Sequence, residues 1–307
     1  MSAEIERAAA ILRAGGLVAF PTETVYGLGA DATNPRAVAR IFEAKGRPRF
    51  NPLIAHVLTL EEAERHGGFH AKARALAEAF WPGPLTLVVQ RLAASTIAEL
   101  ACAGLPTVAL RAPSHPTARD LLEAFGGPVV APSANRSGHV SATTAAHVRA
   151  DLGDRVDMVL DGGAARLGLE SSIVAVGANG AATLLRPGAI AREDLERCVG
   201  ALQASTYGTV QSPGMLESHY APRARLRLEA PYPEPGEAYL AFGAPAPAGG
   251  ATLSATGDLL EAAANLYALL RALDASGARA IAVAPIPAQG LGEAIRDRLQ
   301  RAAAPRD

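Results

Sequence analysis

The sequence predicts an α/β protein: a twisted, mixed sheet with flanking helices, followed by a smaller Rossmann-like α/β unit. Three observations carry that expectation. Short apolar, β-branched runs alternate with helical segments from residue 17 to 199, the order that gives a sheet covered by helices. Asn179-Gly180, between the apolar runs 171–176 and 182–185, is a hairpin turn, so at least one strand pair is antiparallel. Periodicity lapses over 203–225, where Ser, Thr, Gly and Pro dominate, and a strand–helix–strand–helix order resumes behind it. The expected division is therefore a first domain over 1–202, a linker over 203–225 and a second domain over 226–307.

The elements follow in order. Residues 1–16 carry Glu4 and Glu6, lack a long apolar core, and space Ile5, Ala8 and Leu12 along one helical face. They read as a first helix and not as a signal peptide. The run 17–20 is a buried strand stopped by Pro21, which brings Thr22, Glu23 and Thr24 to its carboxyl edge. Gly27 and Gly29 allow close backbone approach. Asn34-Pro35 is an N-cap and first helical residue, Val38, Ile41 and Phe42 share a buried face, and Gly46 ends the helix. Lys45, Arg47 and Arg49 crowd that exit beside Pro48, Asn51, Pro52 and His56. Such a rigid basic corner suits a polyanion; its other reading is a set of cations complementing the helix dipole.

Thr59 and Glu62 form a capping-box pair, 71–80 is a second helix, and Trp81 is a packing anchor before a strand at 86–89. A strand at 107–110 ends in Arg111, either a solvated edge charge or a two-pronged carboxylate clamp. A helix follows Ser114-His115-Pro116 and stops at Gly126-Gly127. The strand 129–131 opens into PSANRSGHVS, where Ser133, Asn135, Ser137 and Ser141 can meet phosphate or ribose without steric cost. A strand at 157–160, the hairpin, Arg186-Pro187-Gly188 and a helix at 192–199 complete the first domain. The second reads strand 238–242, helix 258–273, strand 280–284, helix 290–303, without a G-x-G-x-x-G dinucleotide fingerprint.

The chain has 307 residues, 49% hydrophobic and 19% charged, with a net charge of −1. Charge is balanced in both parts, which argues against a protein whose main task is gripping a nucleic-acid backbone. Cys102 and Cys198 are the two cysteines, expected as buried thiols in a reducing cytoplasm. No apolar run reaches the length of a membrane span, so no membrane contact is expected. There is no Walker loop, no H-E-x-x-H and no G-x-S-x-G, and the His residues lack ligand spacing, so no protein metal site is expected. Cations and hydroxyls at strand exits, with no obvious nucleophile, fit nucleotidyl transfer from ATP. There the substrate attacks the α-phosphate and Mg²⁺ travels with the phosphates.

PTETVYGLG, KGRP, NPLIAH, LRPG and the linker's SPGMLESHYAPRA resemble the Sua5/YrdC/YwlC family of L-threonylcarbamoyladenylate synthases, in its two-domain Sua5 form. The resemblance implies a YrdC-like first domain. It also implies conversion of L-threonine, bicarbonate and ATP to threonylcarbamoyl-AMP and pyrophosphate, the first step of N6-threonylcarbamoyladenosine formation in tRNA, with downstream tRNA threonylcarbamoyl-transfer proteins as partners. Carried over residue by residue, Lys45 and Arg47 are the catalytic cations, facing Ser133 and Asn135 across the nucleotide cleft. Thr24, His56, Arg111, Ala131 and Ser171 surround threonine, with Arg111 on its carboxylate. Arg47, Asn51, Thr107, Ser133, Asn135, Ser141, Arg186 and Tyr220 surround ATP. Ser141 lies in SGHVSAT, where the family often has Pro after Ser. The linker, with Tyr220 and two prolines near it, is expected to fold back as a lid. The rival reading is a double-stranded RNA or tRNA-binding module using Lys45, Arg47, Arg49 and Arg111; a weak tRNA contact is also compatible with the enzyme.

Overall fold

The computed structural model describes residues 2–204 and 218–305. Its first ten strands are β1 (Val18–Phe20), β2 (Gly27–Asp31), β3 (Ile54–His56), β4 (Leu85–Gln90), β5 (Thr107–Arg111), β6 (Val129–Val130), β7 (Met158–Val159), β8 (Ser172–Val176), β9 (Ala182–Arg186) and β10 (Gln203–Ala204). They form one sheet in the order β10-β9-β8-β4-β5-β3-β6-β2-β1-β7. It is mixed, as expected: β3 runs parallel to β5 and β4 to β8, while β4 and β5 are antiparallel and the β8–β9 hairpin closes as the Asn-Gly turn requires. Helices α1 (Ala3–Arg13), α2 (Pro35–Lys45), α3 (Leu60–Ala63), α4 (Ala71–Phe80), α5 (Pro116–Phe125), α6 (Ala145–Leu152) and α7 (Arg192–Val199) belong to this part.

Alternation along the strands decides which face becomes a site. Ala55, Leu87, Val89, Leu110 and Val174 face one way, into a core shared with α2, α4 and α7. Ile54, Val88, Ala109 and Ile173 face the other way in a small apolar cluster with Leu185. His56, Thr86, Thr107, Arg111 and Ser171 fall on that second face by the same period of two. The polar residues are thus gathered on the sheet side that these helices leave open.

The second unit has four parallel strands in the order β11 (Arg225–Arg227), β14 (Ala280–Val283), β12 (Glu237–Ala241), β13 (Ala251–Thr252), with α8 (Leu259–Ala275) and α9 (Leu291–Ala303). Its core meets the first unit through Val25, Val140, Leu169 and Tyr220.

Several elements escaped the sequence reading. β2 has no β-branched residue, and its glycines look like turn chemistry. They are needed because a Cβ on Gly29 would stand 2.7 Å from the Phe20 ring and one on Gly27 3.1 Å from the Ala131 Cβ. β3, β11 and β13 have three, three and two residues, too few to show a period, and α6 went unread as well. The capping box is shifted: Thr59 accepts from the Glu62 N–H, but Glu62 accepts from the Leu58 N–H, one residue earlier than the motif predicts. Ser212-Pro213-Gly214 and Met215 lie outside the described residues.

Candidate active site

The basic corner is built by α2. Asn34 accepts from the Arg36 and Ala37 N–H groups, and Gly46 caps the exit at φ 62°, a left-handed angle that favours glycine. Lys45, in the last turn, is buried. Its ammonium donates to the carbonyl of Ser133 at 2.6 Å and to that of Asn135, and its own carbonyl accepts from the Ser137 N–H. Burial, with the nearby Arg47 charge, pushes its pKa well below the usual lysine value. Lys45 thus ties the corner to the Ser-x-Asn loop after β6. Asn135 stiffens that loop by donating to the carbonyls of Arg136 and His139.

Arg47 is buried and donates to the carbonyls of Asn51 and Pro52. Among the described residues it has no carboxylate within ion-pair distance. Burial lowers its pKa to about 10, Arg186 adds to that and Tyr220 opposes it. Arg111, at the end of β5, is different. Its Nη2 is 2.6 Å from Oε1 of Glu23, its Nε donates to the Gly83 carbonyl, and Oε2 of Glu23 accepts from the Ser114 N–H. Burial alone would raise the Glu23 pKa; the Arg111 charge and hydrogen bond, with two backbone N–H groups, outweigh it and hold the carboxyl below its usual range.

Thr24, Arg47, His56, Arg111, Ala131, Ser133, Ser171, Arg186 and Tyr220 all line one cleft. Lys45, Asn51, Asn135 and Ser141 stand just behind its wall. Thr107 does not line it: as the first residue of β5, it is four positions, or about 13 Å, from Arg111 on the same sheet face. Thr24 and Thr22 share a hydrogen bond of 2.7 Å, Ser171 bonds Thr86 at 2.7 Å, and Arg186 donates to the carbonyl and hydroxyl of Ser171. Ser141 donates to Glu170 at 2.6 Å. Of seven buried side-chain polar atoms without a partner among the described residues, five lie here: both amide atoms of Asn51, Nδ1 of His56, Oδ1 of Asn135 and Nδ1 of His219. An unsatisfied buried polar atom costs about 1–3 kcal/mol, so such a cluster makes the cleft a candidate ligand site.

The cleft has a volume of about 40 Å³. His219 and Tyr220 also line it, with Tyr220 at φ 62°.

Residues 10–188 match the family model Sua5_yciO_yrdC, described as telomere recombination, and residues 190–304 match Sua5_C, described as threonylcarbamoyl-AMP synthase, C-terminal domain. The chain belongs to the Sua5/YrdC family. The threonylcarbamoyl-AMP synthase of Pyrococcus abyssi is 38% identical to this Sua5-family chain over 97% of it and 94% of the relative. That of Bacillus subtilis is 39% identical over 98% and 93%. The crystal structure of P. abyssi Sua5 complexed with L-threonine has a TM-score of 0.91 at 36% identity, covering 97% of this chain and 94% of that one. Escherichia coli YciO, at 23% identity and a TM-score of 0.53 over 60% of this chain, shares the fold of the larger unit.

In this Sua5-family chain, two residues at or against the cleft went unread in the sequence. Glu170, the neighbour of Ser171, lines the cleft, and Arg298 comes from the far end of the chain to meet it. The acid beside a Ser pair in LESS was the available signal for Glu170; for Arg298, in an ordinary amphipathic helix, there was none. Both cysteines are free, and no helix among the described residues is long and apolar enough to cross a membrane.

Proposed function

We propose that this chain joins L-threonine, bicarbonate and ATP into threonylcarbamoyl-AMP and pyrophosphate, in the cytoplasm, with 1–202 as the catalytic unit and 203–225 as its lid. The single observation that carries the reading is the presence in one cleft of two unlike arginine sites: Arg111 paired with Glu23, and Arg47 without an acid among the described residues. The first suits an amino acid carboxylate and the second a triphosphate.

Threonine sits with its carboxylate on Arg111, among Thr24, His56, Ala131 and Ser171. ATP lies toward Arg47, Ser133 and Arg186, with Asn51, Asn135 and Ser141 behind them and Thr107 beyond, and Tyr220 over it. The threonine amine attacks the carbon of CO₂, or of bicarbonate with loss of water, and sheds a proton to give a carbamate. His56 supports this step. Burial lowers its pKa to about 3, with Arg111 adding and Glu23 opposing, so it is neutral at working pH, and its unpartnered Nδ1 can accept from the amine. A carbamate oxygen then attacks the α-phosphorus, the bond to the β-phosphate oxygen breaks, and pyrophosphate leaves. Fixed cations stabilise the charge that gathers on the phosphates.

Mg²⁺ enters as part of the substrate. Among the described residues no group of three or more His, Cys, Asp or Glu could hold a metal ion, and the two acids at the cleft, Glu23 and Glu170, are engaged by Arg111 and Arg298. The product is a mixed anhydride, so a separate tRNA threonylcarbamoyl-transfer step must consume it. Pyrophosphate release, measured with threonine, bicarbonate and ATP each omitted in turn, tests the reading. Release that ignores threonine would sink it.

A further inference from the structure

The PTETVYGLG stretch contains one buried charge that the reaction above does not use, Glu23. It is 3% exposed and makes the buried ion pair with Arg111. A guanidinium carries five N–H donors, two on its side edge and the rest around its terminal edge. On Arg111 the side edge is taken: Nε by the Gly83 carbonyl at 3.3 Å and Nη2 by Glu23. The terminal edge, made by Nη1 and the second proton of Nη2, is what remains for a ligand. Glu23 is itself fixed from behind by the Ser114 N–H at 3.1 Å, just before α5.

Arg47 offers the contrast. It shares the same cleft, yet its described partners are backbone carbonyls. Among the described residues, one buried arginine is therefore neutralised and the other is not, within a cleft that on the proposed reading must hold a carboxylate and a triphosphate in the right order. An uncompensated cation draws the more highly charged group; a compensated one retains geometry for a two-pronged bond but little net charge.

We propose that Glu23 is a positioning residue that sorts the two anions: it turns the terminal edge of Arg111 toward the cleft and cancels its net charge. That site then takes one monoanionic carboxylate and leaves the polyphosphate to Arg47. The proposal rests on the reading of Arg111 as the threonine carboxylate site.

The test uses the full chain with Glu23→Gln and Glu23→Asp, and inorganic tripolyphosphate as a polyanion probe. In the parent, tripolyphosphate competes with ATP and not with threonine. Glu23→Gln leaves Arg111 charged and places an amide donor against the Ser114 N–H. Its threonine KM rises about tenfold, the loss of one charge-assisted bond, its ATP KM stays within about twofold, and tripolyphosphate now competes with threonine as well. Glu23→Asp keeps the charge at shorter reach, so threonine KM rises while tripolyphosphate still leaves threonine alone. A purely structural role would move both KM values together and leave the inhibition pattern unchanged, and either result in Glu23→Gln overturns the proposal. Should Glu23→Gln fail to fold, an unchanged threonine KM in Glu23→Asp overturns it instead. Failure of the underlying reading looks different: Arg111→Lys would then leave threonine KM unaltered, and the proposal would fall with it.

Discussion

Nε of Arg298, in α9, donates to Oε2 of Glu170 at 2.8 Å, and both side chains are buried. Glu170 also accepts from Ser141 and from Tyr267 in α8, and Arg298 donates to the Pro187 carbonyl and lies 5.1 Å from the Tyr220 ring centre. The second unit thereby braces Glu170, a residue of the cleft's wall. Arg298→Met strands the Glu170 carboxylate in a dry interior and should cost about 3–5 kcal/mol in denaturant unfolding. Glu170→Gln should cost less, because Arg298 keeps its ion pair with Asp297 at 2.5 Å. The double variant should lose clearly less than the sum; additivity would mean that the two residues act independently.

The same carboxyl sets an acid limit. Burial alone would raise the Glu170 pKa, but the Arg298 and Arg186 charges and the Ser141 and Arg298 hydrogen bonds bring it down to about 2. Its folded value lies below the unfolded one, so its contribution to stability is present above about pH 4.5 and is lost as pH falls toward 2. His56 and His219 act at higher pH: burial lowers both to about 3, so below about pH 6.5 the unfolded chain binds protons that the folded chain refuses. Stability should therefore fall in two stages on acidification. His219→Gln should flatten the upper stage and Glu170→Gln the lower; matching curves for parent and variants would refute the assignment.

What the sequence made legible was the part of the site carried by local chemistry. The Asn34 cap, the Gly46 exit and the cations at Lys45 and Arg47 follow from fourteen contiguous residues, and Pro21 and Arg111 mark strand ends that the sheet then brings together. The period of two placed His56 and Arg111 on one face only once β3 and β5 were paired in register, His56 opposite Arg111. Three-residue strands do not announce their neighbours. Glu23 illustrates the same limit: it read as one acid in a motif, and its partner stands 88 positions away. The ties of Arg298 and Tyr267 to Glu170 depend on how two units dock, which no local pattern encodes.

Lys45 changes its expected phenotype once its partners are known. From the sequence alone, its loss should reduce ATP use while stability scarcely moves. In the structure it is buried and bonded to two carbonyls of the Ser-x-Asn loop. Lys45→Met keeps the stem and removes the ammonium, so it should cost about 1–3 kcal/mol of stability as well as raising ATP KM. Thermal melts and ATP titration read the two effects separately. A variant of parental stability would place the ammonium on the nucleotide alone.

Tyr220 carries the last prediction. A non-glycine residue at φ 62° costs roughly 1–2 kcal/mol, and the contacts around it hold it there. The Ala221 N–H donates to Gly138 and the His219 N–H to Arg301, while the ring lies against Tyr267 at 5.7 Å and His219 at 4.1 Å. We expect this segment to open for substrate entry and to return over the mixed anhydride, away from water. Strain in the closed form lowers the cost of opening, and the stacked rings reward closing. Tyr220→Ala keeps the strained backbone but loses the rings' grip. It should raise ATP KM about tenfold, the loss of one stacking contact and one shielding group, and increase ATP turnover that yields free AMP rather than product. Tyr220→Phe, which retains the ring, should stay close to the parent. Hydrogen exchange over 218–224 should slow when ATP and threonine are present together. Equal exchange with and without them, and a Tyr220→Ala variant that behaves as the parent, would reduce the segment to a tether between two units.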